Sequence, residues 1–248
     1  MNPASATSWR LQVHEVLPST SDLCRDLANN GEPHGLAVLA HRQSEGRGSR
    51  GRAWSSPPGN LALSVLLRPN LPPREAAQMS LLAGVALAEA TQSFAPNAPL
   101  ALKWPNDLLL AQAKLAGILI ETHGADGTLD WLIIGIGVNL AHAPAIPGRA
   151  TAALAQHAPA PTPDAFATVL LARLDHWLQT QAQHGFGPIR SAWLRHAQPL
   201  GSAMSIKLGD QIISGHFAGL GDDGSLHLQT PAGPRHFTAG DVLFPLEA

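Results

Sequence analysis

Three short stretches hold the residues with the most chemistry to offer. GRGSRGRAW, at 46–54, sets Arg47, Arg50 and Arg52 among three glycines, with Ser49 in the middle and Trp54 at the end. Glycine lets backbone N–H groups come close to an anion, and the guanidinium fork pairs with carboxylate or phosphate. Three uses fit that composition: a basic surface loop, a grip on a nucleic-acid strand by arginine and a stacking tryptophan, or a loop that closes over a charged small molecule. KWPNDLLL and KLAGILIE bring Lys103, Asn106, Asp107, Lys114 and Gly117 into one short span. A carboxylate beside an amide, with lysines near by, suits a metal–nucleotide site, and it suits an ordinary turn as well. Lys114 opens an apolar run, where a lysine is costly without an anionic partner. In LIIGIGVNL, Gly135 and Gly137 let strand backbone approach something closely, and Asn139 closes the run with one amide. A tightly packed strand with a polar end would read the same way.

The rest of the chain narrows these readings. Of 16 basic residues only three are lysine, namely Lys103, Lys114 and Lys207, so lysine is not the general solubilising residue here. The formal net charge is −2, which gives no global field to draw the chain to nucleic acid or anionic lipid. A nucleic-acid grip also needs a wider basic face than one loop. The segments beside the loop, LAVLAHR and NLALSVLLR, read as core strands, and a short basic loop slung between buried strands points to a small ligand. The loop lacks the Gly-Lys-Ser/Thr ending of a P-loop and the glycine spacing of a dinucleotide fold. No apolar run reaches the roughly 20 residues of a membrane span, and MNPASATSWRLQVHEV lacks the regions of a signal peptide. Cys24 is the single cysteine, which rules out an internal disulfide and makes a cytoplasmic setting the expectation.

These residues need elements to position them, and the pattern alternates short strands with helices. WRLQVHEV reads as a strand. STSDLCRDLANNG reads as a helix capped by Ser19 or Thr20, with Leu23 and Leu27 on one face and a stop at Gly31. GLAVLAHR and NLALSVLLR are strands on either side of the arginine loop. Pro72 and Pro73 open an alanine-rich helix over about 74–94. LALKW, KLAGILIET and DWLIIGIGV are further strands, and Pro105 sets Asn106–Asp107 at a turn entering a strand. Residues 141–163 read as an irregular connection, followed by a helix from about Asp164 with Phe166, Leu170, Leu174 and Trp177 at helical spacing. Beyond Gln198 the chain becomes short strands punctuated by Gly-Asp and Pro-Gly turns, a small all-β module with its boundary near Pro199.

The stretches GRGSRGRAW, KWPNDL, KLAGILIE and IIGIGVNL, in this order and at these separations, resemble those of the biotin protein ligases, also called biotin–[acetyl-CoA-carboxylase] ligases. The likeness covers nearly the whole chain, and the C-terminal module is similar to the family's small SH3-like barrel. It implies an α+β fold: a mixed β-sheet catalytic domain flanked by helices over 1–198, of the class II synthetase and biotin–lipoate ligase kind, and a barrel over 199–248. It implies biotin and ATP as substrates with Mg2+, a biotinyl-5′-AMP intermediate, and a biotin carboxyl carrier protein of acetyl-CoA carboxylase as the partner. Nucleic acid and membrane are not expected partners, and the likeness allows a homodimer formed edge to edge through the sheet. The family's optional N-terminal DNA-binding domain has no counterpart here, so the expectation is the monofunctional form.

The same resemblance assigns roles. Lys114 is the catalytic contact between biotin's carboxyl oxygen and the α-phosphate, with Arg47 neutralising charge beside it. Ser19, Thr20 and Ser21 match the family's Ser-Thr-Asn segment, with serine in the third place, and together with Gln43 they hold the ureido ring. Gly48 and Ser49 also lie on the biotin side. Gly117 and the GIG strand floor the slot for the bicycle and valeryl chain. Trp54 packs on the adenine side, Asn139 bonds adenine, and Arg50, Arg52, Lys103 and Asn106 serve the nucleotide. Asp107 holds Mg2+ or orients the triphosphate. The family's loop reads Gly-Arg-Gly-Arg, but here the fourth residue is Ser49, and Arg50 is expected to supply the missing charge. The rivals are a biotin-sensing regulator and a lipoate ligase or octanoyltransferase of related fold. The transferase needs a cysteine acyl carrier, for which Cys24 is the one candidate.

Overall fold

A computed structural model describes residues 7–244. Strand β1 (Arg10–Leu17) and strand β2 (Leu36–Gln43) run parallel, joined by helix α1 (Thr20–Asn29). A parallel pair needs such a crossover, because no tight turn can return the chain to the same end. Ser19 caps α1, its hydroxyl oxygen accepting from the Asp22 N–H at 3.3 Å. Antiparallel strands complete the sheet: β3 (Leu61–Leu67), β4 (Leu100–Lys103), β5 (Asp107–Leu110), β6 (Ala113–Ala125) and β7 (Thr128–Val138). The order across it is β1-β2-β3-β7-β6-β5-β4, so the sheet is mixed, as expected.

Period-two alternation gives this sheet two different faces. Leu61, Leu63, Val65 and Leu67 of β3 join Leu132, Ile134, Ile136 and Val138 of β7 in the main core. Above them lie α2 (Ala76–Phe94), α3 (Pro163–His184) and α4 (Gly187–His196). Each fully buried leucine there contributes roughly 1.5–3 kcal/mol. On the opposite face, Leu66, Trp131 and Ile133 pack with Cys24 and Ala28 of α1 in a smaller cluster. The residues that share this second face farther along, Ala62 and Ser64 of β3 and Gly135 and Gly137 of β7, are small. The alternation therefore leaves a hollow beside the N-terminus of α1.

The C-terminal strands β8 (Ala203–Leu208), β9 (Gln211–Leu220), β10 (Leu226–Thr230), β11 (Gly233–Phe237) and β12 (Asp241–Leu243) form a five-stranded antiparallel sheet of SH3-like fold. Its order, β11-β10-β9-β8-β12, leaves the two outer strands unbonded to each other, so the ladder is open where a closed barrel was expected. Ile206, Phe217, Leu228 and Val242 continue the main core. The Trp104 indole N–H donates to the Gly224 carbonyl at 3.1 Å, and Arg190 of α4 pairs with Asp222 at 2.6 Å, fastening this sheet to the end of β4 and to α4. Helix α4 is absent from the sequence expectations. Its short apolar stripe, Ile189, Ala192 and Trp193, is buried. No helix among the described residues is long and apolar enough to cross a membrane.

Candidate active site

A cavity of about 370 Å³ opens on the α1 face of the mixed sheet, a volume suited to a small-molecule ligand. Strand register builds its floor. Gly137 lies between Ala62 of β3 and Gly117 of β6, and Gly135 lies between Ser64 and Leu119. These glycines are needed for space. A Cβ on Gly137 would stand 2.3 Å from the Trp54 ring, one on Gly135 would stand 2.7 Å from the Ser21 hydroxyl, and one on Gly117 would stand 3.1 Å from the Lys114 Nζ.

The first wall is the start of α1. The Thr20 N–H and hydroxyl both donate to Gln43 Oε1, at 2.8 and 3.1 Å. Gln43 Nε2 donates to the Ser56 hydroxyl at 3.2 Å. Behind the wall, Ser64 lies within 2.7 Å of the Thr20 hydroxyl and 3.0 Å of the Ser21 hydroxyl. Ser19, Thr20 and Ser21 are all buried yet line the cavity.

The second wall is the arginine loop, which is a small hairpin and not a loose strap. Arg47 bridges Ala53, and the Trp54 N–H donates to the Gly46 carbonyl at 2.8 Å. The tip, Ser49–Gly51, is a short 3-10 turn in which Arg50 and Gly51 take left-handed φ values of 59° and 71°. Arg47 lines the cavity, but its guanidinium is held by Asp22 at 2.7 Å and Glu121 at 2.9 Å. Arg52 points inward and donates to the Ser49 hydroxyl at 2.9 Å and the Ser49 carbonyl at 3.1 Å. Arg50 turns the other way and pairs with Asp241 of β12. Arg50 was expected to serve the cavity; the left-handed turn places it against the C-terminal sheet, and Arg52 stands beside Ser49.

Lys114 sits at the junction of these walls. Its Nζ donates to Asp107 and lies 5.6 Å from the centre of the Trp54 ring. Asn106 lines the cavity, and its side chain donates to the Ile118 carbonyl at 2.7 Å, tying the turn before β5 to β6. Residues 150–152 add a bridge alongside Lys114, with the Lys114 N–H donating to Ala150 and the Ala152 N–H donating back, each at 2.9 Å. This brings Ile146 and Arg149 to the cavity.

Besides Arg50, three expected residues stand back from it: Lys103, Asn139, and Asp107, which reaches it only through Lys114. Lys103 lies over the Phe244 ring at 5.6 Å, and burial pushes its ammonium below the usual lysine value, which Asp107 partly offsets. Asn139 is buried behind Lys114, donating to the Ala152 carbonyl at 3.1 Å, while its Oδ1 has no partner among the described residues. The residues that sequence reasoning missed are Arg149 and the pair Ala62 and Ser64. Arg149 had one signal, being the sole lysine or arginine between Lys114 and Arg173. Ala62 and Ser64 had none, because cross-strand register assigns them. Cys24 is fully buried, and burial, with a lesser contribution from Glu121, pushes its thiol up to about 12.

A mixed sheet, a hydroxyl-and-amide wall at a helix start, and a cationic loop facing a lysine on a glycine floor define a class. Residues 13–139 match the Biotin/lipoate A/B protein ligase family, and residues 200–244 match the Biotin protein ligase C terminal domain. The chain belongs to the biotin/lipoate A/B protein ligase family and, within it, to the biotin protein ligases. It is 40% identical to the biotin–[acetyl-CoA-carboxylase] ligase of Paracoccus denitrificans over 84% of this chain and 89% of the relative. It is 32% identical to the bifunctional ligase/repressor BirA of Bacillus subtilis over 94% of this chain and 73% of that protein. A solved structure of the biotin protein ligase from Aquifex aeolicus in complex with biotin and ATP superimposes with a TM-score of 0.80 at 27% identity, covering 94% and 97% of the two chains.

Proposed function

We propose that this chain attaches biotin to one lysine of a biotin carboxyl carrier protein of acetyl-CoA carboxylase, in two steps within the cavity. In the first, a biotin carboxylate oxygen attacks the α-phosphorus of ATP, a carbon–oxygen–phosphorus anhydride forms, and pyrophosphate leaves. In the second, the carrier lysine amine attacks the anhydride carbonyl and AMP leaves. The observation that carries this reading is Lys114, held over a glycine floor between a wall suited to a cyclic urea and a wall of arginines.

The first step brings two anions together, so fixed cations must offset their repulsion and the charge that grows at phosphorus. An ammonium has three donors. Asp107 takes one from Lys114, leaving two to span a carboxyl oxygen and a phosphate oxygen. Arg52 and Arg149 face the cavity with no carboxylate partner among the described residues, so an anion can engage them without breaking an ion pair. Arg47 would have to exchange Asp22 or Glu121 for the ligand. Trp54, which lines the cavity beside Lys114, offers its ring to adenine, while Asn139 supports that end from behind through the Ala152 carbonyl. Among the described residues no three His, Cys, Asp or Glu side chains are grouped to hold a metal. The fit is to Mg2+ carried in on the phosphates of ATP, with Asp107, beside Lys114, a carboxylate that could orient them. The second step needs positioning and exclusion of water, which the hairpin supplies.

As part of the same reading, residues 1–198 are the ligase unit and 199–248 the SH3-like unit, supported by the break between α4 and β8. A homodimer through the sheet edge and a cytoplasmic setting also belong to it. The acyl-cysteine route is disfavoured, since the Cys24 thiol is buried and hard to ionise. The test is pyrophosphate release from ATP with biotin, lipoate or octanoate as the acid. Release should require biotin. Release with lipoate and none with biotin would overturn the reading.

A further inference from the structure

The Ser21 hydroxyl, on the α1 wall of the cavity, has its proton placed by a residue that does not line the cavity. The chain of hydrogen bonds starts at a group with no choice. A backbone N–H can only donate, so the Gln43 atom 2.8 Å from the Thr20 N–H must be the carbonyl oxygen. The Thr20 hydroxyl lies 3.1 Å from that same oxygen and must also donate to it. A hydroxyl has one proton. With the Thr20 proton used, the 2.7 Å contact between Thr20 and Ser64 requires Ser64 to donate. With the Ser64 proton used, the 3.0 Å contact between Ser64 and Ser21 requires Ser21 to donate. The relay runs in one direction, from Ser21 through Ser64 and Thr20 to Gln43. Ser64 is fully buried on β3, and Gly135 beside it leaves room for the Ser21 hydroxyl.

We propose that Ser64 is a positioning residue that fixes Ser21 as a hydrogen-bond acceptor toward the cavity, beside Thr20, whose proton Gln43 holds, so that the site selects a ligand presenting N–H donors there. Ser19 completes the pattern. Its oxygen already accepts from the Asp22 N–H at 3.3 Å, and its proton stays free to meet a carbonyl. Two acceptors and one donor are the complement of a cyclic urea, which has two N–H groups and one C=O. The proposal rests on the biotin reading above and adds to it the origin of ureido selectivity. It also accounts for serine at the third place of the Ser-Thr-Ser segment, since a serine hydroxyl locked by Ser64 offers only lone pairs.

The test uses biotin and two isosteric cyclic carbamates, each with one ureido N–H replaced by oxygen, titrated calorimetrically into wild type and Ser64→Ala. In the wild type an oxygen facing a locked acceptor is rejected. Without Ser64 the Ser21 hydroxyl can turn and donate, while Gln43 still holds the Thr20 proton. The preference for biotin over at least one carbamate should therefore fall about tenfold or more in Ser64→Ala. In pyrophosphate release, the loss should appear in the KM for biotin and leave kcat near wild type, because the reacting carboxylate is remote from this wall. An equal loss of affinity for biotin and both carbamates, or no loss for any of them, would overturn the relay while leaving the biotin reading intact. Failure of wild type to bind biotin would overturn both.

Discussion

At the residue scale the arginine loop shows how charge can be kept when its usual carrier is replaced. Ser49 gives a hydroxyl where the family pattern has a guanidinium, and the sequence alone pointed to Arg50 as the substitute. Arg50 is half exposed and bound to Asp241, a surface pair worth about 0–1 kcal/mol. Arg52 instead donates twice to Ser49 and faces the cavity. A charge-assisted hydrogen bond is worth roughly 1.5–3 kcal/mol against about 1 for a neutral one, and the difference corresponds to about tenfold in retention. Arg52→Ala is therefore expected to release biotinyl-adenylate about tenfold faster, read as stray biotinylation of a bystander protein. Arg50→Ala should release it at nearly the wild-type rate. Equal behaviour of the two variants would remove Arg52 from this role. The loop's chemistry was legible in its residue types, but which arginine turns inward depends on the left-handed turn at Arg50 and Gly51.

At the scale of elements, the strand register makes the cavity and a helix start supplies its polar wall. Gly137→Ala tests the floor. Its new methyl would meet the Trp54 ring at 2.3 Å, a distance no real contact survives, so the Trp54 ring is expected to shift. Biotin and ATP binding should each weaken by at least about tenfold, with the strain of overpacking costing about 1–3 kcal/mol of stability. Unchanged affinity in a titration of Gly137→Ala would show that Trp54 does not shape the site. A second pairing lies outside the cavity, where His41 of β2 meets Asp164 at 3.0 Å on α3 and Glu15 at 3.3 Å on β1. Hydrogen bonds to Asp164 and then Glu15 raise its pKa above the ordinary imidazole value. The folded chain thus holds this proton more tightly than the unfolded one. The stabilisation is fully present below about pH 6.5 and is lost as pH rises through the raised value. The Tm of wild type should exceed that of His41→Gln by more at low pH than at high pH, and a constant difference would contradict the pairing. Most strands and three of the four helices could be read from periodicity and caps. The helix α4 is as long as α1, but it has no side-chain cap at its start to announce it. Ser64 and Ala62 are invisible to sequence because only the pairing of β3 with β7 brings them to the site.

Across the whole molecule, one core runs from the mixed sheet through α2, α3 and α4 into the C-terminal sheet, and the polar contacts at Trp104, Arg190 and Arg50 reinforce it. The change in composition near Pro199 marked the start of the C-terminal strands. How they dock was not legible, since Gly224 and Trp104 are far apart in sequence. Within this frame the site gathers its parts from distant stretches of the chain, from Ser19 to Arg149, around Lys114. The central claim is that Lys114 joins two anions so that biotin can pass to a carrier lysine. The most direct test is the intact mass of an apo carrier domain after incubation with ATP, biotin and enzyme. Wild type should add one biotinyl group to one lysine, only when ATP and biotin are both present, and Lys114→Ala should be slower by at least about a hundredfold while still binding biotin. An unmodified carrier with wild type, or modification by Lys114→Ala at the wild-type rate, would contradict the account.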